Sequence, residues 1–149
     1  MDSTVLWVFS ILGSVLTLLT LYGALKADRR FFLSGLCYFS ILPIIGESMG
    51  YGADKASVHI IVVLVFITQF ILAFPSKIEF GADNVAAVKL VGKISLALLI
   101  FNIGGIIYIF CLHAGVPRRF GCFHIALSLA ILYVIIKRLT GKGPVWLKQ

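Results

Sequence analysis

Residues 31–51 read FFLSGLCYFSILPIIGESMGY. A helix needs about 20 mostly apolar residues to cross a hydrocarbon core of roughly 30 Å, and this stretch has that length. It also holds Pro43, Gly46, Gly50 and one acid, Glu47. An ionisable group inside an apolar span is costly, so it faces other helices or a wet cavity. Ser40, Pro43, Glu47 and Gly50 are three or four apart and share one helix face. Pro43 cannot donate a backbone hydrogen bond and its ring crowds the carbonyl of Phe39, so a kink is expected there. Gly46 and Gly50 form a GxxxG pair that would let another backbone approach beside the acid.

Outward from this stretch the same composition repeats. The chain of 149 residues is 60% hydrophobic, with a mean hydropathy of +1.07. Soluble domains are nearer 45–50% apolar on a similar count. The pattern predicts an all-α polytopic membrane protein: one domain over residues 1–149, a bundle of five spans at about 4–25, 31–51, 57–74, 85–112 and 120–136. The first run lacks the basic n-region of a signal peptide and is too long for an h-region, so it is kept as a span. Within it Ser10, Gly13, Ser14 and Thr17 make a small-residue stripe suited to helix packing in lipid. Asp54 or Ser57 is expected to cap the third span, and Pro75 to stop it.

The formal charge of +7 does not point to nucleic acid. The basic residues sit at the ends of apolar runs, where they snorkel to the interface and set orientation. With the N-terminus outside, the inner side holds Lys26, Arg29, Arg30, Lys77, Lys89, Lys93, Lys137, Arg138, Lys142 and Lys148. The outer side holds only Lys55, Arg118 and Arg119. That bias places the C-terminus in the cytoplasm or an organelle matrix. Lys89 and Lys93, four apart, are candidate lipid-headgroup contacts.

The same topology gathers Glu47, Tyr51, His59, Tyr108, Cys111, His113, Cys122 and His124 in the outer half. Glu47 is the candidate for ion or proton coupling, with Tyr51, Gln69, Asn102 and Tyr108 as candidate polar partners. Gly104 and Gly105, in the middle of the fourth span, join Gly46 and Gly50 as candidate packing positions. His59, His113 and His124 are candidate ligands for a transmembrane haem b, with a quinone as a related ligand. The cysteines, Cys37, Cys111 and Cys122, form no CxxC or zinc spacing. Cys111 and Cys122 flank an outer loop; they are read as small buried hydrophobes, or as a pair if that compartment is oxidising. No catalytic residue is assigned, because the chain has one intramembrane acid and no GxSxG.

These residues predict a non-enzymatic multi-pass membrane protein. It would act as an accessory or structural subunit of a larger membrane complex, or as a homo-oligomer, with lipids and other membrane subunits as partners. The alternatives are a small ion- or proton-coupled transporter or channel using Glu47, and a redox subunit holding haem or quinone through its histidines.

Overall fold

The computed structural model describes residues 3–75, 85–112 and 116–140, with side chains from Val91 onward in the second stretch. His113, the side chain of Lys89, the segment 76–84 and the tail beyond Thr140 lie outside the described residues. All described elements are helices: α1 (Ser3–Lys26), α2 (Arg29–Phe39), α3 (Ile41–Asp54), α4 (Ser57–Ala73), α5 (Val85–Ile107), a π-helical turn (Tyr108–Leu112) and α6 (Arg118–Leu139). Among the described residues four stretches are long and apolar enough to cross a membrane: Ser3–Lys26, Arg29–Asp54, Val91–Leu112 and Arg118–Leu139. The shorter apolar helix α4 has 17 residues. Large apolar side chains face outward along every helix, among them Trp7, Leu18, Leu64, Ile71, Ile100 and Leu129. In water such a surface would aggregate; against lipid tails it costs nothing. The chain therefore has the build of an integral multi-pass membrane protein.

α2 and α3 are one long helix interrupted at Ser40, three residues before Pro43. The carbonyl of Phe39 would bond to the N–H of residue 43, and proline has none. Ser40 closes the first half with backbone bonds to Leu36 and Cys37, and its hydroxyl donates to the Leu36 carbonyl at 2.9 Å. Asp28 starts α2 by accepting from the N–H groups of Arg30 (2.9 Å) and Phe31 (3.2 Å), which satisfies two donors that a helix start leaves open. At the start of α4 neither Asp54 nor Ser57 is the cap. Ala56 holds that position, and Asp54 instead accepts from the Ala56 N–H at 2.8 Å, tightening the turn.

Each helix packs on the next in chain order, and α6 returns to α1. The backbones of α1 and α2 approach closely. A Cβ at Gly23 would collide with the backbone N of Phe32, and one at Gly35 with the Thr20 hydroxyl. Gly46 and Gly50 do not form a crossing of this kind. Gly46 meets only the ring of Phe9, and Gly50 meets the ring of His59. Gly104 faces open space, while Gly105 meets the ring of His124. In the small-residue stripe of α1, Gly13 lies against the ring of Phe123 and Thr17 is buried.

The bundle is graded from end to end. One end is a dry core of Phe32, Leu33, Leu36, Leu98, Leu127 and Ile131. The other end holds a cavity, described below. The turn between α1 and α2 carries Ala27 at φ 60°, with the Asp28 N–H closing on the Gly23 carbonyl at 2.9 Å. That left-handed position normally takes glycine, because a Cβ there crowds the following carbonyl. Ala27→Gly should therefore raise stability by roughly 0.5–1 kcal/mol, read as a later unfolding midpoint in mixed micelles.

Candidate functional site: an acid–histidine chain at the edge of a cavity

Glu47, Gly50 and Asp54 stand at i, i+3 and i+7 on α3 and share one face. The tight turn Lys55–Ala56 brings the first turn of α4, with His59, back against that face. Gly50 makes the room: a Cβ there would lie 2.7 Å from His59 Cε1 and 2.9 Å from Nδ1. The imidazole is thus clamped between two carboxylates. Nδ1 lies 2.6 Å from Glu47 Oε2, and Nε2 lies 3.1 Å from Asp54 Oδ2. Tyr108, brought in by the π turn at the end of α5, donates its hydroxyl to the same Glu47 Oε2 at 2.9 Å. π-helical turns are rare and recur at functional sites. Glu47, His59 and Tyr108 are buried, whereas the Asp54 side chain is 55% exposed.

Counting hydrogens fixes the charge of this cluster. Each His59–carboxylate contact needs one hydrogen, and a neutral imidazole has one in all. The second is supplied either as an imidazolium or as a protonated acid. In both cases Asp54, His59 and Glu47 together carry one net negative charge. The buried members, Glu47 and His59, are tolerated there because they are paired and hydrogen-bonded, and the Tyr108 hydroxyl adds to that pairing, while the Asp54 carboxylate is half in solvent. The three groups form a line from an exposed carboxylate to a buried one, along which a proton can pass across the two faces of one imidazole.

A second polar group lies nearer the middle of the bundle. Asn102 Nδ2 donates to the Leu98 carbonyl and to Gln69 Oε1, both at 2.9 Å. Two acceptors on Nδ2 orient the amide, so Oδ1 is the atom that faces His124 Nδ1 at 3.1 Å. His124 must then carry its hydrogen on Nδ1, and Nε2 is left as an acceptor. The His124 ring is held edge-on to Phe39 (5.2 Å between centroids) and tilted on Phe66 (5.5 Å). Gln69 Nε2 is buried without a hydrogen-bond partner among the described residues.

Members of both groups border one cavity of about 550 Å³. Glu47, His59, Tyr108 and His124 border it, and Phe9, Phe39, Phe66, Phe120 and Phe123 supply much of its apolar wall. Among the described residues no lysine or arginine lines it. Val116, Pro117 and Phe120, at and before the start of α6, border it, and the neighbouring Arg119 sits over the rings of Trp7 (5.7 Å) and Phe120 (5.6 Å).

The remaining residues singled out from sequence fall elsewhere. Tyr51 is exposed, with the Lys55 ammonium 5.2 Å from its ring centre. Gln69 and Asn102 partner each other and His124, not Glu47. Lys93 is exposed. Cys111 and Cys122 are free thiols on the exposed surface rather than small buried hydrophobes, because both point outward from their helices. Cys37 is the buried one, with its thiol toward the Phe70 carbonyl at 3.6 Å. Both nitrogens of His59 face carboxylates, so an iron bound there would have to displace one of them. Among the described residues no three His, Cys, Asp or Glu side chains come together as a metal site.

Asp54 is the member that reading for caps missed. Its signal was present as Glu47-x-x-Gly50-x-x-x-Asp54 with His59 five residues on. Gly50→Ala should push the His59 ring off Glu47 and cost about 1–3 kcal/mol through overpacking, measured as a lower unfolding midpoint with the fold retained.

Compared with known protein families, with curated proteins and with solved structures, the chain matches none.

Proposed function

We propose that this chain is a non-enzymatic, five-span membrane carrier that moves protons through Glu47, beside a cavity able to hold a ligand. The observation that carries this reading is the unbroken line Asp54–His59–Glu47–Tyr108, which runs from an exposed carboxylate to the wall of a largely apolar cavity. A purely structural acid needs partners, but it does not need a relay to the surface or a cavity beside it. Burial makes an unpaired Glu47 costly, and its hydrogen bonds to His59 and Tyr108 answer that cost inside the span.

The fifth span is α4. Its 17 residues rise roughly 25 Å, slightly short of the hydrocarbon core. Five crossings put the termini on opposite sides, and the basic residues favour the N-terminus outside. Asp54 and the cavity-lining start of α6 then lie toward the outer compartment. In this reading the chain works as a homo-oligomer or inside a larger membrane assembly. Gly104, exposed on α5 with nothing within 4 Å of its Cβ position, leaves room there for a neighbouring helix.

The test is proton exchange across proteoliposomes after a pH step, followed with an internal pH dye. Glu47→Gln should slow it by about tenfold or more, and Asp54→Asn by less, because water can replace an exposed relay member. An unchanged rate in folded Glu47→Gln protein would end the reading.

A further inference from the structure

We propose that the cavity is a lipid site: it takes one acyl chain of a phospholipid, which enters from the bilayer between α1 and α3. The inference deepens the reading above and rests on its membrane topology, not on its proton step.

The opening follows from the break at Ser40. Before the break, α1 and α2 are in close backbone contact at Gly23 and Gly35. After it, α3 packs on α4, while α1 keeps α6 as its other neighbour. Where α1 and α3 pass each other, the ring of Phe9 lies 3.5 Å from the Cβ position of Gly46, an ordinary touch and not a crossing. Leu6 and Phe9 line the cavity from α1, and Leu42, Gly46, Met49 and Ala53 line it from α3. Met49 is half exposed and lies one turn from the exposed Ile45, so this wall is continuous with the outward apolar face of α3. In a membrane that face is bathed by acyl chains.

Size and wall select the occupant. The lining runs along α3 from Leu42 to Ala53, a rise of roughly 16 Å, which is about the hydrocarbon depth of a single leaflet. The volume of about 550 Å³ holds roughly 18 water-sized groups at about 30 Å³ each, the bulk of one long acyl chain rather than two. Phe9, Phe39, Phe66, Phe120 and Phe123 give it a wall that holds water poorly. The polar side chains that border it are held by the protein: Glu47 by His59 and Tyr108, and His124 by Asn102. They keep their places without a ligand.

Charge places the headgroup. Ala53 lies at the end of α3, and Val116 and Pro117 precede α6, so this end of the cavity lies at the membrane interface. Arg118 and Arg119 are exposed on the first turn of α6, and Arg119 lies 5.6 Å from the ring of the cavity-lining Phe120. A phospholipid whose chain runs down the cavity has its phosphate at that level, where guanidinium groups donate charge-assisted hydrogen bonds.

The test uses the full chain in nanodiscs of phosphatidylcholine with brominated acyl chains, because bromine quenches a tryptophan that it touches. In a Trp7→Phe, Trp146→Phe background, Phe66→Trp puts the reporter on the cavity wall and Phe32→Trp puts it in the dry core. Both positions are 2% exposed, so bulk lipid reaches them alike. Phe66→Trp should be quenched several times more strongly than Phe32→Trp. Gly46→Leu, which fills the space between α1 and α3, should bring the quenching down to the Phe32→Trp level, and Gly104→Leu should leave it unchanged. Arg119→Gln should raise the brominated phospholipid needed for half quenching in mixed micelles about fivefold. Phe123→Trp, on the α6 wall, gives the same reading where Phe66→Trp does not fold. Equal quenching of wall and core reporters, quenching that survives Gly46→Leu, or a wall reporter reached by aqueous acrylamide instead of lipid would overturn the proposal. The two readings fail separately. Proton exchange in vesicles without the quenching contrast sinks the lipid site alone. The contrast without proton exchange keeps the lipid site and removes the carrier.

Discussion

Gly35→Leu should abolish the fold, while Gly104→Leu should leave it intact. At Gly35 an added Cβ collides with the Thr20 hydroxyl and lies 2.7 Å from the Thr20 backbone N and 2.9 Å from the Leu16 carbonyl. Backbone cannot rotate out of the way as a side chain can, so α1 and α2 would have to separate. Separation exposes the face that buries Phe32, Leu33, Leu36 and Thr20. In lipid no hydrophobic force pulls the helices back together; close van der Waals contact holds them, and that contact is what the change removes. Overpacking of this kind costs more than about 3 kcal/mol, a large share of the stability of a small domain. Gly104, with nothing within 4 Å, should tolerate leucine within about 0.5 kcal/mol. Fluorescence-detected size exclusion of the two variants in mild detergent reads the contrast directly. A sharp, wild-type peak for Gly35→Leu would show that the α1–α2 crossing does not hold the bundle.

The contrast also explains what could be read from the chain alone. The apolar lengths of the spans were legible because the bilayer imposes one thickness on all of them. The interruption ahead of Pro43 was legible because a missing N–H acts only within its own turn. Lateral placement was not. Gly35 lies in the same span as Gly46 and Gly50, and nothing in its local pattern says that it, rather than they, meets another backbone. That depends on which face of α2 turns toward α1, a consequence of the Asp28 turn and of packing across the whole bundle. Asn102 and Gln69 had the same ambiguity. Two amides one span apart look like unrelated polar residues until helix rotation puts 2.9 Å between them. The π turn at Tyr108 had no sequence signal in this reading, yet it delivers the hydroxyl that Glu47 accepts.

The Glu47–His59 contact was closer to legible, and it carries the second large effect. His59→Ala should destabilise the chain by about 3–5 kcal/mol. The cost arises because two carboxylates would be left facing an empty space with no hydrogen between them. Glu47 is buried and among the described residues keeps only the Tyr108 hydroxyl, and Asp54 can turn to solvent. Most of the penalty therefore belongs to Glu47. Glu47→Gln alone keeps shape and hydrogen bonding while removing the charge, so it should cost less than His59→Ala. The double variant should recover part of the loss seen in His59→Ala, since a neutral amide without its partner is cheaper to bury than a carboxylate. A double-mutant cycle of unfolding free energies in mixed micelles isolates this coupling, expected at about 1.5–3 kcal/mol. Additive single effects would mean that Glu47 is wetted in place and does not depend on His59. The relay would then be two adjacent polar groups rather than one proton-sharing unit, and the carrier reading would lose its coupling element.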